Sequence, residues 1–325
     1  VPPLAFGGRD ELSLSPDGAR LAYTLKPKAE RAWHTDTHIV ELDLASGERH
    51  RLPGAPGADN QPRYSPDGRK LAYISLERDQ YESDRHRLMV WDRSLMLSYE
   101  LTEGFDEWAL EPTWAPSGEA LFFSTIERGR RPIYRVADAR GARAERVILD
   151  GSLSLCGLTR WGQQERLVVI HQSFQQPPRL AVSPTLPGAT LTPVTQLNRE
   201  RLGTIGFAEV RDFDVAVPTE RDPERQVHGF VLTPRGPKKR GPQPFVVLIH
   251  GGPQGAWLDG FHPRWNVQLF AGMGWPVVVI NPAGSVGYGQ AFVEEVSKDW
   301  GGQAYDDILA VVDELAKDPA LDGTR

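Results

Sequence analysis

Along the first two-thirds of the chain, short apolar runs alternate with polar turns on a fixed period. Ser15-Pro16-Asp17-Gly18, Ser65-Pro66-Asp67-Gly68 and Ala115-Pro116-Ser117-Gly118 begin at positions 15, 65 and 115, a spacing of 50 residues each time. Each is followed by a strand-like run: Leu21-Ala22-Tyr23-Thr24-Leu25, Leu71-Ala72-Tyr73-Ile74 and Leu121-Phe122-Phe123-Ser124. Proline presets φ for a turn, and Asp-Gly or Ser-Gly supplies a polar, left-handed corner. Each tetrapeptide therefore reads as a hairpin between two strands. A degenerate fourth copy, Trp161-Gly162-Gln163-Gln164, precedes Leu167-Val168-Val169-Ile170. Later strands of the same units are read at 38–44, 87–92 and 132–136. Four short strands per unit of about 40–50 residues is the pattern of a β-propeller blade. About four blades are expected over residues 1–205, too few for any but the smallest closed propeller, so the propeller is read as incomplete.

Near residue 200 the period changes. Residues 207–217 read as a last or linking strand, 218–223 as a turn-rich junction, and 226–232 as an alternating edge strand. The continuous apolar run 245–249 predicts a strand buried on both faces of a largely parallel sheet, and 276–280 predicts a second. A helix is expected between them at 265–273, and a stronger one at 304–317 with Ile308, Leu309, Val311, Val312 and Leu315 on one face. Asp306 and Asp307 in its first turn, and Lys317 near its end, suit the helix dipole. Strands alternating with helices imply crossover units, and residues 206–325 are read as a second domain.

Composition narrows the function. Hydrophobic content of 40% and charged content of 25% are ordinary for a globular protein. The formal charge of −6 lacks the clustered basic footprint of a nucleic-acid binder, and Lys238-Lys239-Arg240 reads as a solvated loop. The longest apolar run is far too short to span a bilayer. The single cysteine, Cys156, allows no intrachain disulfide and gives no metal-ligand set. Asp17 and Asp67 are turn formers, and Trp91, Trp114 and Trp161 are read as core. The chain starts Val-Pro-Pro, with no Met and no signal-peptide pattern, and is read as a segment of a larger protein with material missing at both ends. The compartment is left open between cytoplasm and periplasm.

At His250-Gly251-Gly252-Pro253 the chain resembles the prolyl oligopeptidase family of serine peptidases, which pair a β-propeller with an α/β-hydrolase domain. The resemblance rests on His-Gly-Gly-Pro-Gln-Gly-Ala-Trp at 250–257, Arg264-Trp265-Asn266, Asn281-Pro282-Ala283-Gly284-Ser285-Val286-Gly287-Tyr288-Gly289-Gln290 and Asp299-Trp300-Gly301-Gly302. In the repeats, stretches 57–64 and 81–88 are similar to the dipeptidyl-peptidase V and acylaminoacyl-peptidase-like branch. The resemblance implies a partial propeller followed by the N-terminal part of an α/β-hydrolase domain. The activity it implies is serine-type hydrolysis of short peptides, with no metal or organic cofactor. Assembly into a homo-oligomer is left open, and neither nucleic acid nor membrane is expected as a partner. The family's catalytic Ser, Asp and His would fall after Arg325, and no G-x-S-x-G elbow occurs in the 325 residues, so this segment alone is expected to be inactive. An esterase on the same scaffold, and a propeller binding module with an inactive hydrolase remnant, are the alternatives.

Individual residues follow from that resemblance. One oxyanion donor in such hydrolases is an N–H of the loop after an early strand, of the His-Gly-Gly type. Glycine suits it because the backbone must approach the substrate closely. Gly252 is the expected donor, with Gly251 as the alternative. His250 is read as structural, since no Ser or Asp is placed beside it by motif. Ser285 lacks the first glycine of an elbow and is read as shaping its loop, with Tyr288 packing under the site. Glu82 and Arg85 lie in a long polar loop between blade strands. Exo-acting relatives anchor a substrate's free amino terminus with acidic groups from the propeller side, so these two are the substrate-binding candidates.

Overall fold

The computed structural model describes residues 8–26, 33–236 and 241–324. The basic triplet 238–240 lies outside them. Among the described residues, the first sixteen strands form four sheets in chain order. The first holds β1 (Leu12–Leu14), β2 (Arg20–Leu25), β3 (His38–Asp43) and β4 (Arg49–Arg51). The second holds β5 (Asp59–Tyr64), β6 (Lys70–Ser75), β7 (Arg87–Asp92) and β8 (Leu97–Glu100). The third holds β9 (Leu110–Trp114), β10 (Ala120–Ser124), β11 (Ile133–Ala137) and β12 (Glu145–Ile148). The fourth holds β13 (Ser152–Trp161), β14 (Gln164–Ser173), β15 (Gln176–Pro184) and β16 (Thr192–Pro193). Every neighbouring pair is antiparallel and consecutive in sequence.

The repeated turns sit where the pattern places them, between the first two strands of each sheet. Gly18, Gly68 and Gly118 have φ of 71°, 71° and 76°, the left-handed corner that glycine adopts without strain. The Ser15 and Ser65 hydroxyls donate to Asp17 and Asp67, closing the corner with side-chain bonds. Along β10 the period-2 alternation fills two cores at once. Leu121 and Phe123 join Leu88 and Val90 of the second sheet, while Phe122 faces Leu153, Leu167 and Val169 of the fourth. Trp91 and Trp114 are core, as expected, but Trp161 is 74% exposed. That ring sits at the tip of the long β13–β14 hairpin, where residues 159–164 are all exposed.

The fifth sheet has β17 (Glu209–Ala216), β18 (Gln226–Thr233), β19 (Val246–Ile249) and β20 (Val277–Asn281) in the order β17-β18-β20-β19. Only the β19–β20 pair is parallel. Two expectations change here. β18 is interior, because β17 pairs with it over its whole length. β19 is the outer strand, so the run expected to be buried on both faces is only partly covered, and Ile249 is 56% exposed. β20 is buried throughout.

Besides a short 3-10 helix at Arg9–Glu11, four α-helices are present among the described residues: α1 (Arg199–Gly203), α2 (Val267–Gly272), α3 (Gln290–Glu294) and α4 (Gln303–Leu315). The Asn266 side chain caps α2 by accepting from the Gln268 N–H at 2.9 Å. α4 buries Val311 and Leu315 against Phe213, Val215, Val278 and Ile280. Asp307 does more than complement a dipole. It is fully buried and accepts two bonds from Arg225, which also pairs with Glu295.

Candidate functional site

β19 delivers His250 at its C-terminal end, where Gly251 and Gly252 turn the chain. At Gly252 φ is 145°, and a Cβ there would lie 2.6 Å from the Gln254 nitrogen. At Gly251 a Cβ would meet nothing within 4 Å. Both glycines are exposed, and neither N–H finds an acceptor among the described residues. Gly251 also lines a cavity of about 590 Å³ with Leu248, His250, Trp257, Trp265 and Phe174, the last from the fourth sheet. The walls are mostly apolar, with a few polar groups, the make-up of a site for an organic ligand.

The loop after the glycines is held from beneath. The buried Asn281 accepts from the Trp257 N–H at 2.7 Å and donates to the Trp257 carbonyl at 3.1 Å. The Trp257 indole donates to the Leu248 carbonyl at 3.0 Å. Asn281 also donates to the Tyr288 hydroxyl, which lies 2.6 Å from His228 Nδ1. Burial lowers the His228 pKa to about 4, so the ring is neutral, and its Nδ1 shares a hydrogen bond with the Tyr288 hydroxyl. Burial likewise raises the Tyr288 pKa, which keeps its proton in place for that bond.

Sequence alone sets no serine beside His250, yet the fold brings Ser285 Oγ within 2.9 Å of its Nε2. The contact does not make a nucleophile. Ser285 is fully buried and donates its proton to the Pro282 carbonyl at 2.6 Å. His250, whose pKa burial lowers, faces the Gly251 carbonyl with Nδ1, not a carboxylate. The pair ties the loop of Ser285 to the end of β19.

Glu82 and Arg85 part company. Arg85 turns inward, bonding Glu100 at 2.9 Å and the carbonyls of Thr102 and Phe105. Its guanidinium is thus engaged inside the second sheet and is not presented to a ligand. Glu82 is exposed. Its loop rests on α3: Arg78 pairs with Glu294, and Gln290 donates to the Ser83 carbonyl at 2.9 Å.

Sequence reading passed over one element, the tip of the β10–β11 hairpin. Arg128 and Gly129 have φ of 46° and 67°, positive at both central positions as in a type I′ turn. The Arg128 N–H donates to the Gly287 carbonyl, and the Gly129 carbonyl accepts from the Asp259 N–H at 2.6 Å. Arg128 pairs with Asp214 and Arg130 with Asp212. The available signal was the matched i, i+2 spacing of opposite charges in Arg128-Gly129-Arg130 and Asp212-Phe213-Asp214.

The four repeated four-stranded sheets are compatible with a partial propeller, and a mixed sheet bearing the His-Gly-Gly loop follows them. Residues 261–325 match the model of the prolyl oligopeptidase family. The chain is 30% identical over 333 residues to dipeptidyl-peptidase 5 of Porphyromonas gingivalis, covering 100% of this chain and 47% of that relative. It is 29% identical over 331 residues to dipeptidyl-peptidase 5 of Aspergillus fumigatus, covering 94% and 43%. An acylaminoacyl peptidase of Pyrococcus horikoshii shares the fold with a TM-score of 0.71 at 18% identity, over 94% of this chain and 45% of that one. The family match thus falls on the C-terminal residues 261–325, and the similarity to the dipeptidyl-peptidases 5 runs along nearly the whole chain. The chain spans less than half the length of the curated relatives it matches.

Proposed function

We propose that the chain is part of a serine peptidase that hydrolyses short peptides. In this reading residues 1–205 supply about four blades of an incomplete propeller. Residues 206–325 supply the first part of an α/β-hydrolase domain. The observation that carries it is the exposed pair Gly251-Gly252 at the end of a parallel strand, beside a cavity walled by both parts of the chain.

The chemistry follows from that placement. A tetrahedral intermediate develops negative charge on the former carbonyl oxygen. A fixed N–H aimed at that oxygen is worth roughly 3–4 kcal/mol of barrier. Gly252 is the assigned donor, with Gly251 the alternative. Glu82 is assigned to the substrate's ammonium group, and Arg85 holds its loop from within. No residue of this chain is assigned as nucleophile, acid or base of the triad, and no cofactor is invoked.

The test has two arms. A serine-directed phosphonate should label the full-length protein stoichiometrically and residues 1–325 alone not at all. Dipeptidyl and acylaminoacyl chromogenic substrates should be cleaved by the full-length protein. Turnover of simple esters alone would move the reading to an esterase. Stoichiometric labelling of the 325-residue segment would overturn the assignment of the nucleophile elsewhere.

A further inference from the structure

We infer that the Arg128-Gly129-Arg130 tip of the third sheet is a positioning device for the loop that carries the oxyanion donors, so that the sheet repeats set the geometry of the site as well as walling it. The kinetic part of this inference rests on the peptidase reading; the structural part does not.

Three observations converge on the tip. First, its backbone joins two loops at once. The Arg128 N–H bonds Gly287, next to Tyr288, and the Gly129 carbonyl bonds Asp259, two residues after the clamped Trp257. The Asp259 carboxylate in turn accepts from the Phe174 N–H of the fourth sheet at 2.7 Å. The 257–259 segment is therefore fixed from two sheets and from Asn281. Second, there is no slack. A Cβ on Gly129 would lie 2.5 Å from the Phe230 ring and 3.1 Å from the Trp257 carbonyl. Third, the tip is registered by charge. Arg128 and Arg130 are two apart on the tip, and Asp212 and Asp214 are two apart on one face of β17. Each Arg places one nitrogen 2.7–2.9 Å from both oxygens of its partner. A shift of the tip by one residue would turn both pairs away from each other. Such a two-rung ladder selects one seating of the hairpin.

Arg128 and Arg130 touch no reacting atoms in this scheme; they act through Gly129, Asp259 and Trp257. In the full-length protein, R130D and D212R are made singly and as the swapped pair, with D212N as a milder variant. Amide hydrogen exchange at Trp257 and Asp259 and the steady-state constants for a chromogenic peptide are measured on each. Each reversal should speed exchange at those two amides by about tenfold, and lower kcat by a similar factor with KM little changed. D212N should show the same changes, smaller, and the swap should restore both toward wild type. Wild-type exchange in the single reversals would overturn the inference, as would a swap no better than either single. An equal loss of protection throughout the chain would also overturn it. A protein that hydrolyses no peptide, yet shows the exchange pattern and its rescue, would remove the peptidase reading and leave the positioning role standing.

Discussion

At the scale of single residues, Gly251 and Gly252 look alike in sequence and are unlike in space. Gly252 is needed by its own backbone, since its φ of 145° and the nearby Gln254 nitrogen leave no room for a Cβ. Gly251 has open space, so nothing in the local packing demands glycine there. Substitution separates the two demands. G252A in the full-length protein should strain the turn and cost about 1–3 kcal/mol of stability, read from the urea midpoint. G251A should leave that midpoint within about 0.5 kcal/mol. If Gly251 lies where substrate backbone must pass, G251A should still lower kcat/KM by about tenfold or more through crowding alone. Unchanged kcat/KM in G251A would show that no substrate atom needs the space beside Gly251. The pairing of His250 with Ser285 carries the complementary lesson. A Ser–His contact of 2.9 Å does not by itself make a nucleophile when the hydroxyl is buried and donates to a carbonyl at 2.6 Å, and the imidazole faces a carbonyl and no carboxylate.

Elements were legible to the extent that their own residues decide them. The hairpins at 15, 65 and 115 follow from Pro and Gly within four residues, and the strands after them from period-2 alternation. What stayed hidden depends on partners distant in sequence. Strand 226–233 is interior because β17 and β20 flank it, and no feature of its own pattern says so. Asp307 reads as a helix-dipole residue until Arg225, 82 positions earlier, is seen beside it. The same holds for the 128–130 tip, which needs β17 to acquire a purpose. Asp307 gives a direct stability test. It bonds Arg225 at 2.8 and 2.6 Å and accepts from the Ala283 N–H at 2.8 Å, pinning α4 to the start of β18 and to the loop after β20. Replacing it with Ala leaves a nearly buried guanidinium with Glu295 as its remaining carboxylate. Breaking a buried pair on one side costs about 3–5 kcal/mol. D307A should therefore show a loss of that order in equilibrium urea unfolding of the full-length protein. A loss below about 1 kcal/mol would mean the pair is solvated in solution.

At the scale of the whole molecule, the sheet repeats and the mixed sheet meet through polar contacts whose charge state depends on pH. Glu107, between the second and third sheets, accepts from the Gly289 N–H at 2.9 Å just before α3. Burial raises its pKa from 4.5 to about 7; Asp106 and Glu127 push the same way, and the Gly289 bond opposes them. Asp59, the first residue of β5, is raised from 3.8 to about 7, again mainly by burial. For an acid raised on folding, the native state holds the proton more tightly than the unfolded chain. Its contribution is therefore fully present at low pH and is lost as pH climbs from the unfolded value to the folded one. For Glu107 that window runs from 4.5 to about 7, and at 1.36 kcal/mol per unit the loss is at most about 3 kcal/mol. His86 and His228, lowered to about 4 by burial, work in the other direction, so the pH profile of the wild type mixes both signs. The difference between wild type and E107Q isolates one of them. Glutamine keeps the acceptor for Gly289 and never ionises. E107Q should match the wild type in urea midpoint near pH 4.5, and exceed it near pH 8 by up to about 3 kcal/mol. Because Glu107 spans the junction, the gain should be concentrated in exchange protection of the amides of 287–290. A difference curve that is flat with pH would mean that water reaches this carboxylate, and that the two parts of the chain are less closely joined than the Glu107–Gly289 bond implies.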